Sequence, residues 1–471
     1  MSFRRGVVAF IAGVAIALGQ PAAASAAKPS FEATAGDQLL PGFAWNVRTY
    51  AARCGGGTLD LRIDGARGWR VRTAARKRPR GGDIRVHVPL DEGAATTIAF
   101  RRRDGTRQRR FWVRCLPRDF VEFSFERLRK GGAKLFFVKA GGYVAIFSRD
   151  GAPVWWLRTD GGADAKLLPD GTVSMNAEAG LAAGPFEIRT LGGRLLRTVG
   201  DPGDTDIHDL QLLANGNYVI GAMKFRRGID ATPYGGHADA AVADTVIREL
   251  TPDGAIVRSW DSGQHIGLAE AGRWWTEILA QPDALWYDVS HWNAVEVDGR
   301  YMYLSFRNND AIYKVNRRTG AIVWKLGGTE TPDSLEVRGD PAGYPLGGQH
   351  DVRVQPDGTV TIFNNRTDLT DDVARAQRFR IDEQAGTARL VETVTDPTIS
   401  AVFCCGSARR LPSREWLISW GNNPVVGAYD RAGRAIYRLH LEGGFTYRAN
   451  PVPGGVVGTR KLRRAMNRMY G

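Results

Sequence analysis

Three features of the sequence predict an all-β fold. Glycine is abundant, with 57 residues in a chain of 471 against 22 prolines, and it shows no collagen-like period, which indicates many tight turns. Short runs alternate apolar and polar residues, as half-buried strands do. A turn followed by an apolar strand recurs along most of the chain. A hydrophobic content of 43% and a charged content of 24% exclude a polytopic membrane protein and a mostly disordered chain.

Residues 1–26 are predicted to be a secretory signal peptide. Arg4 and Arg5 precede the apolar run 7–19, and a stretch of small residues follows at 22–27. The apolar run is too short for a membrane anchor, which needs about 20 residues to cross the bilayer core. No later segment has the pattern of a transmembrane helix. We therefore expect an exported protein, periplasmic or extracellular, without stable membrane insertion, in a compartment where disulfides can form.

Residues 27–125 are predicted to form a small antiparallel β-sandwich. Residues 59–63 and 84–88 alternate apolar and polar side chains and are separated from their neighbours by glycine-rich turns. Cys54 and Cys115 lie near the two ends of this region. In an exported sandwich we expect a disulfide between them that pins two strands together.

The net charge of +14 concentrates anions near the protein surface and favours acidic partners. Basic clusters at 76–80 and 101–110 fall inside the predicted sandwich. Nucleic-acid binding would require interleaved aromatic residues or a known module, and an exported protein seldom meets nucleic acid. We therefore interpret the clusters as solvated strand faces and expect no nucleic-acid partner.

Residues 135–450 repeat two phrases and are predicted to form a β-propeller of six blades. The first phrase is a polar turn before an apolar strand, and its six copies are 150–156, 192–199, 253–260, 319–324, 385–394 and 432–439. The second phrase is a hairpin, found at 167–171, 212–216, 295–299, 354–358 and, more weakly, 410–414, with a less clear version near 141–142. Seven blades are the alternative, with extra strands inside 221–240. Residues 451–471 are expected to be a C-terminal tail.

Three of the seven histidines occupy the same position in their repeats, eight residues before a turn glycine. The pairs are His208 with Gly216, His291 with Gly299 and His350 with Gly358. Equivalent positions at the start of the inner strands form a ring around the mouth of a propeller channel. A lone histidine is more often structural than catalytic, but three in one register favour a shared site.

The residues near these histidines indicate an anion-binding site. Three neutral imidazoles could bind zinc. Arg307, however, is a permanent cation that would be unfavourable beside a divalent metal, so we expect no metal. Imidazoles together with Asn293 and Arg307 supply hydrogen-bond donors to a tetrahedral oxyanion, and imidazole is a competent nucleophile near neutral pH. The sequence contains no G-x-x-x-x-G-K-[ST] phosphate-binding loop.

The chain resembles the bacterial arylsulfate sulfotransferases from about residue 140 to 445. The resemblance lies in Asp206-Ile207-His208-Asp209, Ser290-His291-Trp292-Asn293, Ser305-Phe306-Arg307-Asn308 and Gly348-Gln349-His350-Asp351, and also in the segments 320–327 and 417–421. It is most specific around the three histidines.

The resemblance implies a sulfotransferase that uses no cofactor and no nucleotide sulfate donor. By it, His350 is the nucleophile, which takes a sulfuryl group from a small-molecule aryl sulfate to give a transient sulfohistidine that a phenolic acceptor discharges. His208 and His291 would handle protons and hold sulfuryl oxygens. Asn293 and Arg307 would bind those oxygens as charge shifts.

Cys404 and Cys405 are expected near the same rim, because they stand at the start of a repeat. Adjacent cysteines can close a strained disulfide ring or remain two small buried side chains. We favour a structural disulfide that shapes the rim.

Two alternative functions draw on the same residues. A propeller metalloenzyme or quinoprotein would use the histidine ring and Cys404-Cys405, although quinoproteins usually need more blades than this chain can hold. A non-catalytic binding propeller would keep the ring without turnover.

Overall fold

The structure is a computed structural model, and it describes residues 28–75, 82–177, 184–201, 203–341, 346–369, 373–399 and 401–471. The predicted signal peptide and the basic cluster 76–80 lie outside the described residues. The chain is all-β, as predicted, with an N-terminal sandwich and a propeller.

The sandwich contains two sheets with an apolar core between them. Its strands are β1 (Ser30–Ala33), β2 (Gln38–Leu40), β3 (Thr49–Arg53), β4 (Thr58–Asp64), β5 (Trp69–Thr73), β6 (Ile84–Pro89), β7 (Ala95–Arg102) and β8 (Gln108–Cys115). One sheet has the order β1-β4-β6 and the other β2-β3-β8-β7-β5. Leu59, Leu61 and Ile63 of β4 are buried, so the alternation in the sequence marks the core face. The pair β3–β8 is parallel, so the sandwich is not wholly antiparallel.

The predicted bond between Cys54 and Cys115 is confirmed. Cys54 directly follows β3 and Cys115 ends β8. Because these neighbouring strands run in parallel, both sulfur atoms lie at the same end of the pair. The bond therefore fixes one edge of the sandwich core.

Six further sheets follow along the described chain. Their strands are β9 (Phe123–Arg127), β10 (Leu135–Ala140), β11 (Tyr143–Ser148), β12 (Pro153–Arg158), β13 (Lys166–Leu167), β14 (Val173–Asn176), β15 (Phe186–Arg189), β16 (Leu195–Val199), β17 (Thr205–Leu212), β18 (Tyr218–Ile229), β19 (Ala240–Leu250), β20 (Ile256–Asp261), β21 (Trp292–Asp298), β22 (Tyr301–Phe306), β23 (Ala311–Asn316), β24 (Ile322–Gly327), β25 (Glu336–Arg338), β26 (His350–Val354), β27 (Val360–Asn364), β28 (Arg375–Asp382), β29 (Thr387–Val394), β30 (Ser407–Arg410), β31 (Trp416–Ser419), β32 (Val425–Tyr429), β33 (Ala435–Leu441) and β34 (Ala449–Pro451).

Each of these sheets pairs its strands in chain order, except where the ring closes and where β25 joins the fifth sheet beside β29. The orders are β34-β10-β11-β12, β13-β14-β15-β16, β17-β18-β19-β20, β21-β22-β23-β24, β26-β27-β28-β29-β25 and β30-β31-β32-β33-β9. The six predicted turn-and-strand phrases end in the outer strands β12, β16, β20, β24, β29 and β33. The inner strands, which begin the sheets, therefore line the axis of the propeller.

The ring closes at two places. β34, from the C-terminal end of the chain, pairs with β10 and supplies the inner strand of the first sheet. β9, which lies before the predicted start of the propeller, pairs with the outer edge of β33 in the last sheet. The turn near 141–142 joins β10 to β11, the second and third strands of its sheet, which explains why it differs from the hairpins that start the other sheets.

The segment 221–240 does not contain the extra strands that a seventh blade would need. It is part of one long antiparallel hairpin formed by β18 and β19 in the third sheet. The short helical turns within the described segments are Gly55–Gly57, Thr232–Tyr234, Ser262–Gln264, Leu268–Ala271, the π-helix Trp275–Leu279, and Arg307–Asn309.

The predicted tail, 451–471, ends in the helix α1 (Thr459–Tyr470). Leu462, Ala465 and Met466 of α1 are buried in the same apolar cluster as β12. The guanidinium of Arg463 lies 3.7 Å from the ring centroid of Trp112 in β8. The helix thus packs against both domains. No helix in the described ranges has the length and apolar character needed to cross a bilayer.

Candidate active site

A cavity of about 440 Å³ lies where several inner strands begin. Its lining residues are His208, Ile278, Leu279, Ala284, Trp286, Asp288, His291, Arg307, Asn308, His350, Phe403, Cys404, Cys405 and Tyr447. The structure therefore brings together the three histidines that share a register. The ring centroids of His208 and His291 are 5.0 Å apart. Tyr447 lies between His208 and His350. Its ring centroid is 6.1 Å from that of His208 and 5.1 Å from that of His350.

The backbone is irregular at each of the three histidines. Strands β17, β21 and β26 all break their pairing register beside the histidine. His291 itself has φ of +45° and Asp351, next to His350, has φ of +65°. Bulges and left-handed residues are common next to active sites, where they redirect a side chain. The irregular starts of these strands aim the imidazoles at the cavity.

A carboxylate stands behind two of the imidazoles. His291 Nδ1 is 2.6 Å from Asp288 Oδ2, and His208 Nδ1 contacts Asp206 Oδ1. Because an ionised carboxylate only accepts hydrogen bonds, Nδ1 carries the proton in both rings and Nε2 is left for other partners. Burial lowers the pKa of His208, but the charge and hydrogen bond of Asp206 outweigh burial and raise that pKa above its ordinary value.

His350 is held differently from the other two. Its Nδ1 donates to the carbonyl oxygen of Gly406 at 2.7 Å, which leaves the lone pair on Nε2. Gly406 has φ of +96°, and a Cβ there would lie 2.5 Å from the ring of Phe363, so this carbonyl position requires glycine. Burial, the nearby Arg448 and the other two imidazoles hold the pKa of His350 well below its usual range. His350 is therefore a neutral imidazole at neutral pH.

Arg307 brings a positive charge to the cavity. Its Nη1 donates to Asn308 Oδ1 at 2.8 Å and its Nη2 to the carbonyl oxygen of Phe403 at 3.3 Å. Its guanidinium carbon lies 4.2 Å from the ring centroid of Trp274. Among the described residues no carboxylate forms an ion pair with Arg307, so its charge is available to an anion.

Asn293, which was predicted to bind substrate oxygens, does not line the cavity. Its side chain is fully buried; Nδ2 donates to the carbonyl oxygen of Gln349 at 2.8 Å, and Oδ1 accepts from the backbone N–H of Asp351 at 3.4 Å. It joins the start of β26 to β21. The amide in the cavity belongs to Asn308, whose Nδ2 donates to the carbonyl oxygen of Asp288 at 2.7 Å.

Sequence reasoning missed Tyr447. Its hydroxyl donates to the carbonyl oxygen of His208 at 3.1 Å. Tyr447 precedes β34, the inner strand that arrives from the far end of the chain, so it shares no repeat register with the histidines. Placing Tyr447 in the site would have required knowing that β34 pairs with β10.

Cys404 and Cys405 line the cavity, but as free thiols. Their sulfur atoms are 2.7 Å apart, whereas a disulfide bond measures about 2.05 Å. The expected bond between them is thus not formed in this structure. A hydrogen bond from Cys405 lowers the pKa of the Cys404 thiol, and Arg307 lowers it further against the effect of burial.

A buried ionic cluster lies next to the cavity histidines, where the inner strands of several sheets come together. Arg448, which is fully buried, donates to Asp164 at 2.9 Å and to the carbonyl oxygen of His208 at 2.8 Å. It also donates to the carbonyl oxygen of Asn293, and its Nε is 3.3 Å from Asp351. One guanidinium therefore connects segments of several neighbouring sheets.

Asp209 is the second centre of this cluster. It accepts from Lys166 at 2.5 Å and from Arg353 at 2.8 Å. Burial raises the pKa of Asp209, but Arg353, Lys166 and Arg448 together hold it well below its usual range. Asp209, which follows the cavity residue His208 in the sequence, thus belongs to the ionic cluster.

The arrangement can perform a nucleophilic group transfer to and from an anion. It offers a neutral imidazole with a free lone pair in His350, a proton-carrying imidazole in His208 and an unpaired cation in Arg307. Within the part of the chain that the structure describes, no three side chains of His, Cys, Asp or Glu are placed to hold a metal ion.

A known family matches the part of the chain that contains the site. The family model described as Arylsulfotransferase (ASST) matches residues 188–442, more than half of the chain, including the three histidines and Arg307. Among curated proteins there is no significant match.

Solved structures with similar folds are distant. A protein of unknown function from Bacteroides caccae has a TM-score of 0.44 and 11% identity, with 68% of this chain and 99% of that chain covered. A catalytically inactive virginiamycin B lyase from Staphylococcus aureus has a TM-score of 0.35 and 12% identity, with 71% and 90% covered. They carry no inference about the function of this chain. The match of the family model supports aryl sulfotransferase activity on small molecules, and the chain belongs to the arylsulfotransferase (ASST) family.

Proposed function

We propose that this protein is an exported, nucleotide-independent aryl sulfotransferase that moves a sulfuryl group from an aryl sulfate ester to a phenol through a sulfohistidine on His350. One observation supports the proposal most directly. The Nδ1–H of His350 is fixed on the Gly406 carbonyl, so a neutral Nε2 lone pair is presented beside two other imidazoles and Arg307. The Cys54–Cys115 bond supports export, because disulfides persist in oxidising compartments.

In the first step, the Nε2 lone pair of His350 attacks the sulfur of the aryl sulfate. The S–O bond to the aryl oxygen breaks, and its electron pair leaves on that oxygen. His208, whose pKa is raised, donates a proton to the departing phenolate. Arg307 and Asn308 hold the sulfuryl oxygens while charge shifts among them.

In the second step, an acceptor phenol takes the place of the released phenol. His208, now neutral, removes the acceptor's proton, and the phenolate oxygen attacks the sulfur of the sulfohistidine. The S–N bond breaks and its electron pair returns to Nε2 of His350. His291, 5.0 Å from His208, keeps its Nδ1 proton on Asp288, so its Nε2 is a second proton acceptor beside the transferring group.

Transfer from 4-nitrophenyl sulfate to phenol in the presence of a chelator tests the proposal. We expect nitrophenol release that depends on the acceptor and shows ping-pong kinetics. His350→Ala should lower the rate by a factor on the order of 10³ or more, because the nucleophile is lost. His440→Ala, a histidine of β33 outside the cavity, is the matched control and should retain the native rate.

Two results would contradict the proposal. One is full transfer by His350→Ala, and the other is loss of native transfer when the chelator is added. A direct check is mass spectrometry of the native protein after brief exposure to donor alone. It should show one added sulfuryl group on the peptide that contains residue 350, and that group should disappear when phenol is added.

A further inference from the structure

Four large apolar residues form a collar at the mouth of the cavity. The collar residues, with their exposed fractions, are Phe225 (46%), Ile278 (44%), Trp286 (41%) and Phe403 (61%). Ile278, Trp286 and Phe403 also line the cavity, and Phe225 contacts Trp286. A contiguous exposed apolar patch of this kind marks a binding surface.

The collar is held in place by defined contacts. The backbone N–H of Phe403 donates to Asn422 Oδ1 at 2.8 Å. The carbonyl oxygen of Phe403 accepts from Arg307 at 3.3 Å and from Thr367 Oγ1 at 3.2 Å. Because these hydrogen bonds hold the backbone of Phe403 in place, its phenyl ring is held in an exposed position.

Two further aromatic rings of the collar contact each other. Phe225, at the far end of β18, and Trp286 meet edge to face, with ring centroids 5.4 Å apart and ring planes at 90°. This is a favourable aromatic geometry. The collar thus presents aromatic surface from three separate parts of the chain: β18, the segment before β21 and the loop before β30.

The cavity therefore has two ends of opposite character. Its inner end carries the imidazoles and the unpaired Arg307, which suit an anionic group. Its outer end is apolar and continues into the collar. A volume of about 440 Å³ falls within the range of about 300–1,000 Å³ that accommodates drug-sized ligands, so there is room for more than one aromatic ring.

We propose that the collar binds an apolar arm attached to the aromatic ring of the substrate, either an alkyl chain or further rings. This inference rests on the proposed function, which places the sulfate or phenol group at the inner end. It assigns the substrates to extended, apolar aryl sulfates and phenols. Each methylene laid against the collar leaves water and adds to the affinity.

Calorimetric binding of 4-alkylphenyl sulfates to the His350→Ala protein tests this assignment without turnover. From 4-methylphenyl sulfate to 4-hexylphenyl sulfate, we expect Kd to fall about two- to fourfold for each added methylene. In a Phe225→Ser/Phe403→Ser double variant on the same background, the decrease per methylene should shrink by at least half. Val257→Ser, a control at a 47% exposed position of β20 that does not line the cavity, should keep the full decrease.

The outcomes separate the two proposals. A decrease of Kd with chain length but no sulfuryl transfer by the native protein supports the collar and refutes the proposed function. Transfer with a Kd that is independent of chain length refutes the collar. Failure of every member of the series to bind also overturns the inference. A flat Kd series combined with binding to phospholipid vesicles would also overturn the inference. In that case the native protein would sediment with the vesicles and the double variant would not, which would show that the collar contacts lipid.

Discussion

The sandwich and the propeller are both built from β-sheets, yet their centres are opposite in character. Between the sheets of the sandwich lie apolar side chains such as Leu61, Phe100 and Phe111, with a disulfide at the edge. Near the axis of the propeller lie Arg448, Asp209 and the three cavity imidazoles. Two facing sheets can fill the space between them with hydrocarbon. At the propeller axis, the inner strands instead meet through charged side chains, and that polar axis carries the site.

Disrupting the ionic cluster at the propeller axis should give the largest effect on stability. Arg448→Met removes one guanidinium and with it one donor to each of two buried carboxylates, Asp164 and Asp351, and to two carbonyl oxygens. Removing one partner from a buried ionic network costs about 3–5 kcal/mol of the free energy of unfolding. Urea unfolding followed by tryptophan fluorescence measures the loss. Arg194→Met, at an exposed position, should change it by less than about 0.5 kcal/mol. Equal losses in the two variants would contradict an ionic axis.

Breaking the sandwich should have a smaller and separate effect. Cys54→Ser/Cys115→Ser opens a covalent loop with a sequence separation of 61, which costs about 2–4 kcal/mol. Hydrogen exchange measured by mass spectrometry should show faster exchange in β3 and β8, while peptides of β21 and β26 keep their protection. An equal increase in exchange in both domains would show that the two centres are not independent.

The sequence predicted some parts of the fold and of the site and not others. The repeated turns and the alternation of apolar residues are local signals, and they located the outer strands and the register of His208, His291 and His350. The inner strand of the first sheet was not predictable, because β34 reaches it from more than 300 residues away. Tyr447 and Arg448 adjoin that strand, and sequence reasoning missed both.

Asn293 shows a second limit of sequence reasoning. In a regular strand, residues two apart point to the same face, so Asn293 should accompany His291 into the cavity. The register of β21 shifts between Trp292 and Ala294, where Asn293 is the extra residue. A bulge changes the face to which a side chain points, and nothing in the composition of the segment signals it.

The ring of Trp274 packs against the guanidinium of Arg307, and replacing this ring offers a sharper test of the polar axis. Trp274→Leu removes the ring that lies 4.2 Å from the guanidinium of Arg307. A partly desolvated cation–π contact is worth about 1–2 kcal/mol, so we expect KM for 4-nitrophenyl sulfate to rise about tenfold with a smaller change in kcat. Trp274→Phe should restore part of the affinity. A native KM in the Leu variant would contradict this role of Trp274.

The smallest expected effect is a shift in pH dependence. Asp206 raises the pKa of His208, so the protonated form of His208 persists to higher pH than in an ordinary histidine. Asp206→Asn removes that charge while burial, which lowers the pKa, remains. If protonated His208 is the acid of the first step, the alkaline limb of kcat should move to lower pH in the variant. The position of this limb in pH–rate profiles of both proteins is the measurement. An unmoved limb would assign the acid role elsewhere.

Because β34 is synthesised late, the candidate site is assembled late. Tyr447 and Arg448 are made after nearly every other residue of the propeller, and both contact the backbone of His208. A chain that is still emerging from a ribosome thus has three histidines but neither the tyrosine beside them nor the cation beneath them. The candidate site is therefore completed in the last stage of biogenesis, when β34 closes the ring.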